Sequence, residues 1–182
     1  IAPSPSPTPT PASSSSGVIV ITGADLVTSF ELIPVEMQSS GTVSGSSQSG
    51  IIVTGADGQL GKSIQARIGS YDEINGVFVS KESLDITRVE EIRKRFKEHA
   101  PEYCINTAAF TEVDEAEVAE DKAMEVNACG AENLARACAE FRVILIHLST
   151  DYVFDGSKPH GYRPTDKPNP INAYGRSKWE GE

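Results

Sequence analysis

Apolar residues along this chain fall into short runs that alternate with longer stretches of helical period. Residues 51–55, Ile-Ile-Val-Thr-Gly, read as a buried strand, and a short helix follows over Gly61–Ile68. Gly-Val-Phe-Val-Ser at 76–80 is a second strand. Within 87–99, Val89, Ile92 and Phe96 recur at i, i+3 and i+7. That spacing predicts a helix with one apolar face, and Pro101 lies where such a helix must stop. Residues 103–109 supply a third strand. One long helix is expected from Ala116 to Phe141, with Ala119, Ala123, Val126, Gly130, Leu134 and Cys138 largely along one face. Small side chains there let a helix sit close to a sheet. The run Val-Ile-Leu-Ile-His-Leu-Ser at 143–149 is a fourth strand, continuously apolar as expected when both faces are covered. Strand and helix in alternation predict an α/β fold, a doubly wound parallel sheet.

The first fifty residues do not share this pattern. Residues 1–16 alternate Pro with Ser or Thr and read as an extended, disordered linker, because they bury too little surface to offset ordering entropy. Ser and Gly return at 39–50 as a second flexible joint. Between them, 18–25 (VIVITGAD) nearly repeats 51–57 (IIVTGAD). Only the second copy continues with further glycines. The first runs into Phe-Glu-Leu-Ile-Pro without helical period, so 17–49 is read as an extension with short strands, or a remnant of another domain, with no cofactor role. The folded domain is assigned to 50–182.

Charge narrows the partners. The chain of 182 residues carries a formal charge of −10, and its first fifty residues contain Asp25, Glu31 and Glu36 but no Lys or Arg. An acidic domain without a basic stripe is a poor nucleic-acid or anionic-membrane binder. Any phosphate must therefore be held by backbone amides and a few placed cations. Cys104, Cys129 and Cys138 fit no metal spacing and suggest reduced thiols in a cytoplasmic protein, with no metal bound. No apolar run reaches membrane-spanning length, and there is no signal-peptide pattern.

Two clusters carry candidate chemistry. Gly55, Gly58 and Gly61 recur at three-residue intervals between a strand and a helix. Glycine serves there for a sharp turn and close approach to a pyrophosphate, which the helix N-terminus attracts. Alone such a triplet is a weak signal; its place in a serial βα pattern strengthens it. Tyr174 and Lys178 stand four residues apart, on one face of any helix. An ammonium beside a phenol is expected to lower the tyrosine pKa. Such pairs also arise by chance on solvated helix faces. Ser149, Thr150 and Asp151, however, follow the fourth strand directly, at the end of the sheet where ligands sit.

In order and at suitable spacing come VTGADGQLG, LDIT, INTAAFTEVDEAE, VN, HLSTDYVFDG and NAYGRSKWEGE. Over 51–182 these resemble the extended short-chain dehydrogenase/reductases, a Rossmann-like superfamily, and within it the dTDP-4-dehydrorhamnose reductase family. The resemblance implies reduction of the 4-keto group of dTDP-4-dehydro-L-rhamnose with NADPH, or NADH. It implies Tyr174 as general acid, Lys178 on the nicotinamide ribose, Thr150 on the carbonyl oxygen and Asp151 against the sugar. Gly58, Gln59 and Leu60 would cover the pyrophosphate, shaped by Gly55 and Gly61. Asp85 and Ile86 would flank the adenine, and Ala109, Phe110 and Thr111 would line the cofactor channel.

The match has departures. The family's NAAAYT reads Asn106-Thr107-Ala108-Ala109-Phe110-Thr111. At the end of the second strand Val79, Ser80 and Lys81 offer no acid for a ribose 2′-hydroxyl, whereas Ser80 and Lys81 suit a 2′-phosphate; NADPH is therefore favoured. The sequence given ends eight residues after Tyr174, where the family continues, so a fragment of a longer reductase is expected. Such a fragment would have an incomplete sheet with an exposed edge, weak cofactor binding and little turnover, and a homodimer is an expectation for the full-length protein. Two rival resemblances are the regulatory β subunit of methionine adenosyltransferase, a partner-binding protein, and other nucleotide-sugar epimerases or dehydratases of the superfamily.

Overall fold

The computed structural model describes residues 48–182 and the backbone of 18–21. The readings of 1–16 as a linker and of most of 17–49 as an irregular extension lie outside those residues. Five strands form one parallel sheet: β1 (Val18–Ile21), β2 (Ser49–Thr54), β3 (Ile74–Val79), β4 (Tyr103–Asn106) and β5 (Ile144–Leu148). Their order is β1-β5-β4-β2-β3. Between the strands lie α1 (Gln59–Ile68), α2 (Val89–His99), α3 (Val113–Val118), α4 (Glu120–Met124) and α5 (Gly130–Phe141); α6 (Ala173–Glu180) follows β5.

The core forms where one sheet face meets α2 and α5. Ile52, Cys104 and Leu145 come from three neighbouring strands, Ile92 and Phe96 from α2, and Leu134, Ala137 and Cys138 from α5. Phe96 and Phe141 close it edge to face, with ring centroids 5.8 Å apart. The α2 stripe thus buries as its spacing predicts, and α2 ends at Ala100 in the left-handed conformation (φ 43°), directly before Pro101. Cys104 and Cys138 meet in this core, where hydrogen bonding between the thiols and burial push the Cys104 thiol well up.

Three expectations need correction. The helix expected over 116–141 is not continuous. It breaks at Ala119, whose backbone leaves helical space (φ −131°, ψ 45°), and it widens to a π-turn over Glu125–Cys129. Apolar spacing survives both interruptions, because Ala116, Ala123, Gly130, Leu134 and Cys138 are all buried, so periodicity alone cannot reveal them. The third strand stops at Asn106 rather than 109, since the Ala108 amide turns onto the Asn106 side chain (3.1 Å) instead of continuing the ladder. The third correction concerns the first VIVITGAD copy. Val18–Ile21 belongs to the main sheet, paired in parallel with β5, so the β5 edge expected to be bare is covered. Among the described residues, no helix is long and apolar enough to cross a membrane.

Candidate active site

The glycines of the first turn do three different jobs. Gly55 sits at φ +68°, and a Cβ there would lie 2.6 Å from the Ala108 backbone nitrogen. It makes the tight turn and lets β4's continuation pass close by. A Cβ on Gly61 would lie 2.4 Å from the Gly55 carbonyl oxygen, so this glycine packs α1 onto the strand end. Gly58 precedes α1, and a Cβ on it would meet only the Gly55 carbonyl at 3.2 Å. Its outer side is thus free for a ligand to approach backbone. These are the three roles a dinucleotide turn requires.

The turn floors a cleft of about 840 Å³ at the carboxyl end of the sheet. Gln59 and Leu60 line it at the start of α1, and Asp85 and Ile86 after β3. Ala109, Phe110 and Thr111 line it after β4, and Tyr174 and Lys178 from α6. All of these residues therefore reach one cavity, with Lys81, whereas Ser80, expected beside Lys81 at a 2′-phosphate, does not line it. Burial pushes the Asp85 carboxyl up, but bonds from the Thr87 amide (3.0 Å) and hydroxyl (2.8 Å), with Lys81 and Arg88 nearby, bring it below the usual range. Lys81 and Glu82 stand together at the rim. The Ser80 hydroxyl bonds the Glu82 carboxylate and lowers its pKa, so an acid does stand near the end of β3, one residue beyond the three where it was sought.

Helix α6 is short, and neighbours fix it. The Asn172 side chain accepts from the Gly175 amide at 2.7 Å, and Glu117 of α3 accepts from the Ala173 amide at 2.7 Å. Arg176 pairs with Glu120 at 3.1 Å. Gly175 is required, because a Cβ there would lie 2.2 Å from the Tyr152 carbonyl oxygen. This anchoring places Tyr174 on the cleft wall and buries Lys178 to 3% exposure.

The expected influence of Lys178 on Tyr174 is not what the structure contains. Burial pushes the phenol above its ordinary value; a hydrogen bond with Thr150 opposes this, and Asp151 and Tyr152 add to it. The Lys178 ammonium donates to the Leu148 carbonyl at 2.6 Å, and burial lowers its pKa to about 8. Thr150 is buried behind Tyr174 and caps the short 3₁₀ turn Asp151–Val153, accepting from the Tyr152 amide at 3.3 Å. Asp151 and Tyr152 line a second hollow of about 450 Å³. The Tyr152 and Tyr174 rings meet edge to face at 5.6 Å, so Tyr174 stands between the two hollows.

Sequence reasoning missed the residues that hold this site in place. Asn127, inside the π-turn, accepts from the Phe110 amide (2.8 Å) and donates to the Phe110 carbonyl (3.0 Å) and to Ser177 (2.9 Å). Ser177 in turn donates to the Tyr174 carbonyl at 2.8 Å. The π-turn thus fastens the cofactor channel to the tyrosine helix, a use typical of such insertions. The dipeptide Val126-Asn127 was its only trace in the sequence.

A second missed set crosses the sheet beneath the cleft. Thr54 donates to Asn106 Oδ1 at 2.6 Å, and Asn106 Nδ2 meets His147 Nδ1 at 3.0 Å. Because Asn106 Oδ1 also accepts the Ala108 amide, its orientation is fixed and His147 Nδ1 must accept. The ring is then the neutral Nε2–H tautomer, and that nitrogen is buried without a partner among the described residues. Burial first, then the Lys178 ammonium, lowers the His147 pKa to about 4. A folded pKa below the unfolded 6.5 means the unfolded state binds more protons between about 4 and 6.5. Stability is therefore expected to rise with pH across that window, by up to about 3 kcal/mol. Urea titrations at its two ends should show the rise, and His147→Gln should flatten it.

Comparison with known proteins fits this geometry. Residues 49–182 match the family model described as RmlD substrate binding domain. The chain belongs to that family. A dTDP-4-keto-6-deoxy-D-glucose reductase of Streptomyces niveus is 42% identical over 131 residues, covering 72% of this chain and 45% of the relative. A dTDP-4-dehydrorhamnose reductase of Mycobacterium tuberculosis (strain H37Rv) is 42% identical over 136 residues, with 72% and 44% covered. Among solved structures, dTDP-4-dehydrorhamnose reductase of Bacillus anthracis in complex with NADP superposes with a TM-score of 0.72 at 41% identity, covering 74% of this chain and 47% of that one. The chain spans just under half the length of the curated relatives it matches. Strand β1 lies outside the family match.

Proposed function

We propose that this chain carries the cofactor cleft and the proton donor of a reductase acting, with NADPH, on the 4-keto group of a dTDP-4-keto-6-deoxy sugar, dTDP-4-dehydro-L-rhamnose in the first instance. The observation that carries the reading is Tyr174, a phenol kept protonated by burial, on the wall of the cleft whose floor is the glycine turn. The cleft residues suit the dinucleotide: Gly58, Gln59 and Leu60 offer backbone and the α1 terminus to the pyrophosphate. Asp85 and Ile86 flank the adenine, and Ala109, Phe110 and Thr111 line the nicotinamide side. NADPH, when bound, supplies the hydride that reaches C4 of the sugar.

The chain's own residues handle the proton. Tyr174 donates its phenolic proton to the oxygen that was the carbonyl, and Thr150, bonded to that phenol, steadies it and shares the oxygen. Lys178 uses one donor on Leu148 and keeps two for the ribose hydroxyls. Asp151, facing the second hollow, lies against the sugar. A raised phenol pKa favours the reductive direction, in which the tyrosine must arrive protonated.

The reading is tested by following NADPH oxidation after adding dTDP-4-dehydro-L-rhamnose to a protein of the relatives' length containing this chain. Stoichiometric oxidation is expected; NADPH binding with the keto sugar left untouched would overturn it. Cofactor choice has its own test. Lys81→Ala should weaken NADPH binding about tenfold, the loss of one charged contact to a phosphate, and leave NADH binding unchanged. Equal weakening of both would remove Lys81 from the 2′-phosphate.

A further inference from the structure

Strand β1 stands outside the family match yet completes the sheet, and its position is informative. The sheet order is β1-β5-β4-β2-β3. In the doubly wound order 3-2-1-4-5-6, the place beside the fifth strand belongs to the sixth, which runs parallel to it. Strand β1 occupies that place, in parallel, with all four of its residues in register: Val18 with Leu145, Ile19 with Ile146, Val20 with His147 and Ile21 with Leu148. A strand from the beginning of the chain thus fills a place that the fold assigns to one from its end.

We propose that the outer edge of β5 is a strand-accepting site and that residues 18–21 of this chain are its resident occupant, a surrogate sixth strand. The chemistry suits both sides. The segment Val-Ile-Val-Ile is wholly β-branched, the composition that extended pairing favours, and carries no charge. The strand β5 is the apolar run Ile-Leu-Ile-His-Leu, which as an unpaired edge would be a template for aggregation. Pairing moves β5 into the sheet interior and leaves as the new edge a strand of only four residues, and short edge strands resist further pairing.

The occupied edge also bears on the cleft. The Ile144 amide donates to Glu102, toward β4, so by strict alternation Leu145 and His147 direct their backbone groups toward β1. His147 and Leu148, the two residues opposite Val20 and Ile21, are the partner of Asn106 and the seat of Lys178. Whatever occupies this edge therefore holds the end of β5 from which the tyrosine helix is positioned. A later strand supplied by a longer chain would have to displace residues 18–21 to take the same place. The inference does not depend on the reductase reading.

Amide hydrogen exchange on the unaltered 182-residue chain tests it directly. Leu145 and His147 amides, which face β1, should be protected to about the same degree as Ile144 and Ile146, which face β4. The amide of Ile19 faces β5 in this register, so Ile19→Pro removes a ladder donor; in that variant exchange at Leu145 and His147 should accelerate about a hundredfold, while β2 and β4 amides keep their protection. Should Ile19→Pro unfold the whole domain, Ile19→Gly keeps the amide and should give a smaller acceleration confined to the same two residues. Free exchange of Leu145 and His147 in the unaltered chain, or no change in either variant, would overturn the proposal.

Discussion

Replacing Tyr174 by phenylalanine is expected to lower reductase turnover by between about a hundredfold and ten-thousandfold, the range a positioned general acid supplies. The ring remains, so its edge-to-face contact with Tyr152 at 5.6 Å is kept and α6 stays anchored through Asn172 and Glu117. NADPH affinity should therefore change little, and the loss should fall on kcat rather than KM. The measurement is single-turnover NADPH oxidation in parallel with a cofactor titration. A large loss of affinity with kcat preserved would make Tyr174 a binding residue and not the acid. The pH profile adds a second check. The phenol titrates above its ordinary 10, whereas Lys178 titrates near 8. The alkaline limb should accordingly begin near 8 and belong to Lys178, and Tyr174→Phe should leave its position unchanged.

Gly55→Val is expected to have the largest effect on the fold itself. The residue is left-handed at φ +68°, and its Cβ would fall 2.6 Å from the Ala108 nitrogen and 2.7 Å from the Ala108 Cα. Both obstacles are backbone, so no side chain can swing aside. Left-handed strain costs about 1–2 kcal/mol and overpacking about 1–3 kcal/mol, so a loss of about 3 kcal/mol or more is expected in urea unfolding. Dinucleotide binding should vanish even in protein that remains folded, because β2, β4 and the pyrophosphate turn meet at this residue. Gly58→Ala, by comparison, meets one carbonyl at 3.2 Å and should cost little stability while weakening cofactor binding.

The sequence disclosed most where one residue has one job. Gly55, Gly58 and Gly61 announced a turn, and Val89, Ile92 and Phe96 announced a buried stripe; in both cases a local spacing maps onto a local geometry. Reasoning failed where a residue's role is set by a partner far along the chain. Asn127 and Ser177 lie fifty positions apart and become a pair only once the π-turn swings Asn127 toward Phe110. Thr54, Asn106 and His147 look like ordinary strand residues, and register alone makes them a connected row. The Tyr174–Lys178 spacing was read correctly as one helix face, but not that burial would raise the phenol, or that Lys178 would reach back to β5. The VIVITGAD copy is a strand over Val18–Ile21, as one reading had it, but its place in the main sheet was not foreseen. Missing glycines bear on a cofactor turn, but they say nothing about whether the preceding four residues can join a sheet.

The seat of Lys178 has a consequence for how this site tolerates mutation. Pairing between β4 and β5 ends with Asn106 opposite His147, one residue short of Leu148, and Lys178 takes the Leu148 carbonyl. A main-chain oxygen is encoded by no particular codon. Any side chain at position 148 leaves it in place, so drift at that position cannot remove the lysine's anchor as it could remove a carboxylate. What inheritance must preserve is the length and register of the strand: an inserted or deleted residue within 144–148 would move the anchor, while a substitution at 148 would leave it in place.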